Sequence, residues 1–140
     1  MKRAVILGGT GVLGRAIAQR LLDASWQVDI TGRDASKMPA VLRDAGATFL
    51  SSDRRNDDDL GRTMRNGADL VVDAACYTAA DAGLLLPHLH AVGSAVMLSS
   101  KAVYIDDAGN HVNTDIPQVL QPPQEPKVRL AYGCRSEPLR

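Results

Sequence analysis

The residues with the clearest chemical potential form one run, Gly8-Gly9-Thr10-Gly11-Val12-Leu13-Gly14. Glycines so spaced permit a tight turn and let a backbone approach a pyrophosphate closely. The run follows the apolar stretch Ala4-Val5-Ile6-Leu7 and precedes Leu13, Ile17 and Leu21, which recur at helical spacing. Strand, glycine turn and helix are the context that a dinucleotide-binding fingerprint requires. The N–H groups of Val12 and Leu13, at the positive end of that helix, would hold phosphates. Gly9, Gly11 and Gly14 satisfy the general pattern, and Gly8, Gly11 and Gly14 keep a three-residue spacing. Gly14 would also let helix and strand pack closely. The plainer reading is a glycine-rich turn that binds nothing.

Two further groups fit the same chemistry. Gly32-Arg33-Asp34 follows the second apolar run, where a fold that uses NAD carries an acid for the ribose hydroxyls. Glycine at this point removes a carboxylate that would repel a 2′-phosphate, and Arg33 offers a planar fork to bind one. NADP is therefore favoured over NAD, against a solvated turn arginine near Asp29 and Asp34. After the third run, Asp53 is suited to the exocyclic amine of adenine, with Arg54 over the ring; ordinary loop charge is the alternative. Ala75, Cys76 and Tyr77 follow the fourth run, where small residues let the backbone approach a flat ligand. Ser99 and Ser100 end the fifth.

The elements that would position these residues follow from periodicity. Strands are expected at 4–7, 26–31, 47–51, 69–75 and 95–98, the second alternating apolar and polar residues. Ser36 would cap a short helix with Pro39 in its first turn and Gly46 at its end. Asp57, Asp58 and Asp59 would cap the next helix and complement its dipole, since successive acids do not converge on a metal. A helix over 79–92 carries Leu84, Leu85 and Leu89, with Pro87 kinking or restarting it. His88 and His90 do not share a helical face and read as surface residues.

Bulk properties narrow the classes. The 140 residues suit one small domain with a real core, and 45% apolar content suits an α/β protein. A net charge of zero gives no basic footprint for nucleic acid. No apolar run approaches the ~20 residues of a membrane span, and no signal-peptide layout precedes the first strand. Cys76 and Cys134 show neither metal spacing nor a disulfide framework, so the cytoplasm is the expected compartment. Five of the seven prolines lie between Pro117 and Pro138. Residues 1–116 are thus expected to form the domain, and 117–140 an extended, poorly ordered tail. A doubly wound dinucleotide fold usually has six strands, so the sheet is shortened or the chain is a piece of something larger.

In order, these features resemble the short-chain dehydrogenase/reductase superfamily, in its extended or atypical branch with the nucleotide-sugar epimerases and dehydratases. The resemblance rests on the glycine run, on Asp53-Arg54, and on Ser99-Ser100-Lys101-Ala102-Val103-Tyr104. It implies a doubly wound parallel sheet of order 3-2-1-4-5, helices on both faces, and a cofactor along the carboxyl edge. It also implies that Ser100 polarises a substrate carbonyl or alcohol, Ala75 and Tyr77 lining the nicotinamide side. The family's Tyr-x-x-x-Lys pair is missing from this sequence, because four residues after Tyr132 stands Ser136. A tyrosine without a nearby cation keeps a pKa near ~10 and shuttles protons poorly at neutral pH. The resemblance therefore carries cofactor binding further than catalysis. The first reading is the dinucleotide-binding part of an epimerase, dehydratase or reductase acting on a sugar-like or small carbonyl substrate. A non-catalytic NADP-binding redox sensor is the second. An RNA-associated protein is third, disfavoured by the zero net charge. A homo-oligomer is left open.

Overall fold

The computed structural model describes residues 1–98. Its sheet contains β1 (Arg3–Leu7), β2 (Gln27–Gly32), β3 (Thr48–Ser51), β4 (Ala68–Asp73) and β5 (Val92–Met97), all parallel, in the order β3-β2-β1-β4-β5. This is the expected doubly wound, Rossmann-type α/β architecture. The helices are α1 (Val12–Asp23), α2 (Ala40–Asp44), α3 (Asp57–Met64) and α4 (Ala79–Leu85), with short 3-10 segments at Ala35–Lys37 and Leu86–Ala91.

β1 is the middle strand, and Ala4, Val5, Ile6 and Leu7 are fully buried. Its side chains alternate between two cores, as strand geometry requires. Ile6 packs with Ala18 of α1, Val28, Ile30 and Leu42 of α2 on one face. Val5 and Leu7 pack with Leu60 and Met64 of α3 and Leu85 of α4 on the other. Burial on both faces is what helices on both sides of a parallel sheet produce. Each fully buried Val, Leu, Ile or Met side chain among them contributes about 1.5–3 kcal/mol.

Several boundaries differ from expectation for definite reasons. The alternation in β2 does not mark a half-exposed strand: Asp29 and Thr31 are buried like Val28 and Ile30. Asp29 tolerates burial because Arg3 pairs with it at 2.6 Å. In α1 the inward stripe is Gly14 and Ala18, flanked by Ile17, Leu21 and Leu22, while Leu13 is exposed. Ser36 does not cap a helix. Asp34 does, accepting from the Ser36 backbone, and Pro39 is the N-cap of α2. Asn56, not an aspartate, caps α3, although the three acids occupy its first turn. β4 ends at Asp73, leaving Ala74 and Ala75 in the following turn. Pro87 falls where α4 gives way to the 3-10 segment. Ser99, Ser100, the absent Tyr-Lys pair and the Pro-rich segment lie outside the described residues.

Candidate functional site

The carboxyl ends of β1, β2, β3 and β4 meet at one cleft of about 340 Å³. Gly8, Thr10, Gly32, Arg33, Asp53, Arg54, Ala75 and Tyr77 line it, together with Thr31, Asp34, Lys37, Ser52 and Arg55. Residues singled out in all four of these regions therefore meet at one site, while Gly9, Gly11, Val12, Leu13, Gly14 and Cys76 are not among its lining residues. Such a crevice beyond the strand ends is the usual ligand position in an open α/β sheet.

The glycine turn forms its first wall. Gly8 adopts φ +77°, a left-handed conformation that disfavours other residues. A Cβ on Gly14 would lie 2.5 Å from the Gly8 carbonyl oxygen and 2.8 Å from Gly9 Cα. Gly14 thus lets α1 close onto the turn itself, and it is Gly9 that lies against a strand, at Ile30 of β2. Gly11 is the N-cap of α1 and supplies no side-chain acceptor. Arg15 N–H, bonded to the Gly11 carbonyl at 2.9 Å, makes the first helical bond. The N–H groups of Val12, Leu13 and Gly14 consequently lack intrahelical acceptors. No acid lies in this first turn to neutralise the helix's positive end, so the turn can receive a phosphate. Arg15 Nε also donates to the Thr10 carbonyl at 2.7 Å and braces the loop.

At the end of β2, Arg33 is exposed on the cleft and Lys37 borders it. Of the two acids near Arg33 in sequence, Asp29 is engaged with Arg3. Asp34 stays at the rim, where its carboxylate accepts from Ser36 Oγ at 2.7 Å and Ser36 N–H at 3.0 Å. Those bonds, with the Lys37 charge, hold its pKa below the usual aspartate value.

The β3 and β4 ends are built around a buried ion pair. Arg54 donates through Nε to Asp73 Oδ2 at 3.0 Å, and through Nη2 to the same oxygen and to the Asp81 carbonyl. The Arg54 side chain is 8% exposed and Asp73 is fully buried. Arg54 therefore braces the fold through Nε and Nη2, while its buried Nη1 has no partner among the described residues. Although the residue borders the cleft, its side chain is too little exposed to offer a ring the broad contact the sequence suggests. Asp73 Oδ1 accepts from Ala75 N–H at 3.0 Å, while Asp81 Oδ2 accepts from Tyr77 and Thr78 N–H at 3.0 and 2.9 Å. Two buried carboxylates thus fix the loop carrying Ala75, Cys76 and Tyr77. Burial would raise the Asp81 pKa, but the Thr78 and Tyr77 hydrogen bonds and the Arg54 charge hold it below its ordinary value. The Cys76 thiol is pushed up, first by burial and then by Asp73, which leaves it a poor nucleophile. Asp53 accepts from Arg55 N–H through Oδ1 at 2.9 Å and borders the cleft.

The NAD(P)H-binding family matches residues 8–115. The chain belongs to that family. Its fold is shared with a short-chain dehydrogenase/reductase from Mycobacterium ulcerans, at TM-score 0.65 and 18% identity over 74% of this chain and 53% of that one. Pseudomonas aeruginosa RhlG, in an NADP active-site complex, gives TM-score 0.64 and 18% identity over 74% and 54%. UDP-glucose-4-epimerase from Stenotrophomonas maltophila, with bound NAD and formylated UDP-arabinopyranose, gives 0.63 and 20% over 75% and 39%. At these identities the likeness is one of fold, and the chain spans about half or less of each structure. No curated protein matches the sequence.

Family membership fits the geometry: the glycine turn and the orphaned N–H groups are suited to the pyrophosphate of such a cofactor. The sequence reading passes over Asp73, Asp81 and Arg55. Thr78-Ala79-Ala80-Asp81 was a usable signal, being a capping box at the start of α4, and it forms as one. Asp73, an acid closing an apolar strand, was another. His88 and His90 do not line the cleft; His88 bonds Asp57 at 2.8 Å and His90 the Pro87 carbonyl at 3.2 Å. No group suited to a metal occurs among the described residues.

Proposed function

We propose that the chain is the NADP-binding part of an epimerase-, dehydratase- or reductase-type oxidoreductase acting on a sugar-like or small carbonyl substrate. The observation that carries this reading is that the glycine turn, Gly32-Arg33 and Asp53 border one cleft. In the reading, the N–H groups of Val12 and Leu13 receive the pyrophosphate, with Gly8, Gly9, Thr10, Gly11 and Gly14 giving it room. Arg33 pairs with the 2′-phosphate, and Asp53 accepts from the adenine amine through the oxygen that Arg55 N–H leaves free. Ala75, Cys76 and Tyr77 form the β4 wall. The bound nicotinamide supplies hydride transfer. Ser99 and Ser100 belong to the reaction side by the family resemblance, Ser100 as the hydroxyl that polarises the substrate.

Neighbours of this fold are described with NADP and with NAD, and Gly32-Arg33 is what favours NADP here. No described helix is long and apolar enough to cross a membrane. Calorimetric titration of the 140-residue chain with NADPH and, separately, NADH tests the reading. Saturable binding with NADPH preferred supports it; binding of neither cofactor refutes it. A second reading, a non-catalytic NADP-binding sensor, needs the same cleft and no Tyr-x-x-x-Lys pair. Cofactor oxidation with carbonyl substrates would decide for the enzyme.

A further inference from the structure

Arg54 and Arg55 are adjacent, yet the fold uses them in opposite ways. Asp53 Oδ1 accepts the Arg55 N–H at 2.9 Å, and the Asp53 carbonyl accepts the Asn56 N–H at 2.9 Å. This tight turn sends Arg54 inward, where Asp73 and the Asp81 carbonyl hold its guanidinium. Arg55 is left on the cleft with its side chain 69% exposed. Its nearest carboxylate oxygen is Asp81 Oδ1, 3.6 Å from Nε and beyond ordinary hydrogen-bond range. Oδ2 of Asp81 is occupied by the Tyr77 and Thr78 N–H groups, so the carboxylate stays in place when Arg55 moves.

From this we infer that Arg55, not Arg54, is the cation that covers the adenine face of the bound dinucleotide. The inference rests on the proposed NADP site and assigns a residue within it. Arg55 is held in the same turn as Asp53, the carboxylate assigned to the adenine amine, and so lies at the adenosine end of the cleft. The phosphates have other partners, in the orphaned N–H groups of α1 and in Arg33. A guanidinium is planar, delocalised and weakly hydrated, which suits it to stacking on an aromatic face. Such a contact stabilises the complex by about 1–2 kcal/mol, which corresponds to a five- to thirtyfold change in affinity.

The test is calorimetric titration of the full chain and its Arg55→Ala variant with NADPH, NADH and 5′-AMP. The expected result is a loss of about five- to thirtyfold for all three ligands, because all three carry the adenine. Arg55→Lys keeps the charge without the plane and should recover less than half of that loss in free energy. Because the side chain is exposed, the melting temperature should stay at the wild-type value. A loss confined to NADPH would overturn the inference by making Arg55 a 2′-phosphate ligand. Unchanged affinity for every ligand would overturn it too. Wild-type chain that binds none of the three refutes the proposed site as a whole. Wild-type binding with an unaffected Arg55→Ala variant refutes only this assignment.

Discussion

Arg54→Met separates a brace from a ligand contact. The change removes the Nε and Nη2 bonds to Asp73 and the Nη2 bond to the Asp81 carbonyl, while a side chain of similar length still fills the space. Asp73, fully buried, is left with the Ala75 N–H as its side-chain partner among the described residues. Breaking a buried pair from one side costs about 3–5 kcal/mol, because the remaining charge is neither solvated nor neutralised. Against a domain stability of about 5–15 kcal/mol this is a large loss. At about 4–8 °C per kcal/mol the melting temperature should fall by well over 10 °C. Removing the second charge should restore most of the loss, since apolar or neutral replacement of both partners is often close to neutral. Arg54→Met with Asp73→Asn should therefore be more stable than Arg54→Met alone, Asn keeping an acceptor for Ala75 N–H. The assay is urea unfolding of the wild type, both single variants and the double variant, all without cofactor. A cost below about 1 kcal/mol for Arg54→Met, or a double variant no better than the single, would refute the buried-pair argument. It would return Arg54 to the role its sequence position suggests, a side chain whose loss is felt only when ligand is present.

Arg33→Ala should weaken NADPH by about tenfold or more, as expected for a lost charge-assisted pair, and leave NADH almost unchanged in the same titration. Equal losses would remove the 2′-phosphate assignment. Gly14→Ala gains up to about 1 kcal/mol of helix propensity but sets a Cβ 2.5 Å from the Gly8 carbonyl, so backbone must move. Cofactor affinity should fall more than thermal stability, and wild-type affinity in this variant would show that the close approach is not needed. For Asp81 the folded carboxyl has the lower pKa, so its stabilisation is complete above the ordinary aspartate value of about 3.9 and is lost as pH falls through the folded value. Asp81→Asn should flatten that acid limb in a pH series of melting temperatures and lower stability near neutrality. An acid limb as steep as wild type would place the proton uptake elsewhere.

How much of this was legible depends on the distance over which each feature is decided. The glycine turn and the core of β1 are local: four consecutive apolar residues, then glycines whose spacing answers to one turn and one helix end. The boundary of β5 is less so. Gly93 and Ser94 conceal its start, which pairing with β4 nevertheless makes regular, Leu70 opposite Ser94. The roles of Arg54 and Arg55 are not local at all. Residue type cannot separate two adjacent arginines; Asp53 fixes the turn, and Asp73 and Asp81, from β4 and α4, decide which guanidinium is drawn inward. The same holds for Asp29, which counted against Arg33 in sequence and is neutralised by Arg3 across two strands. Charges in a parallel sheet are assigned by tertiary partners, so a sequence names the candidates and the fold chooses among them. Asp29 lies outside the cleft, paired with Arg3, and Arg54 borders it with its charge matched by Asp73. Arg33, Lys37 and Arg55 are therefore the exposed cations that face a ligand bringing its own negative charge, beside Asp34 and Asp53.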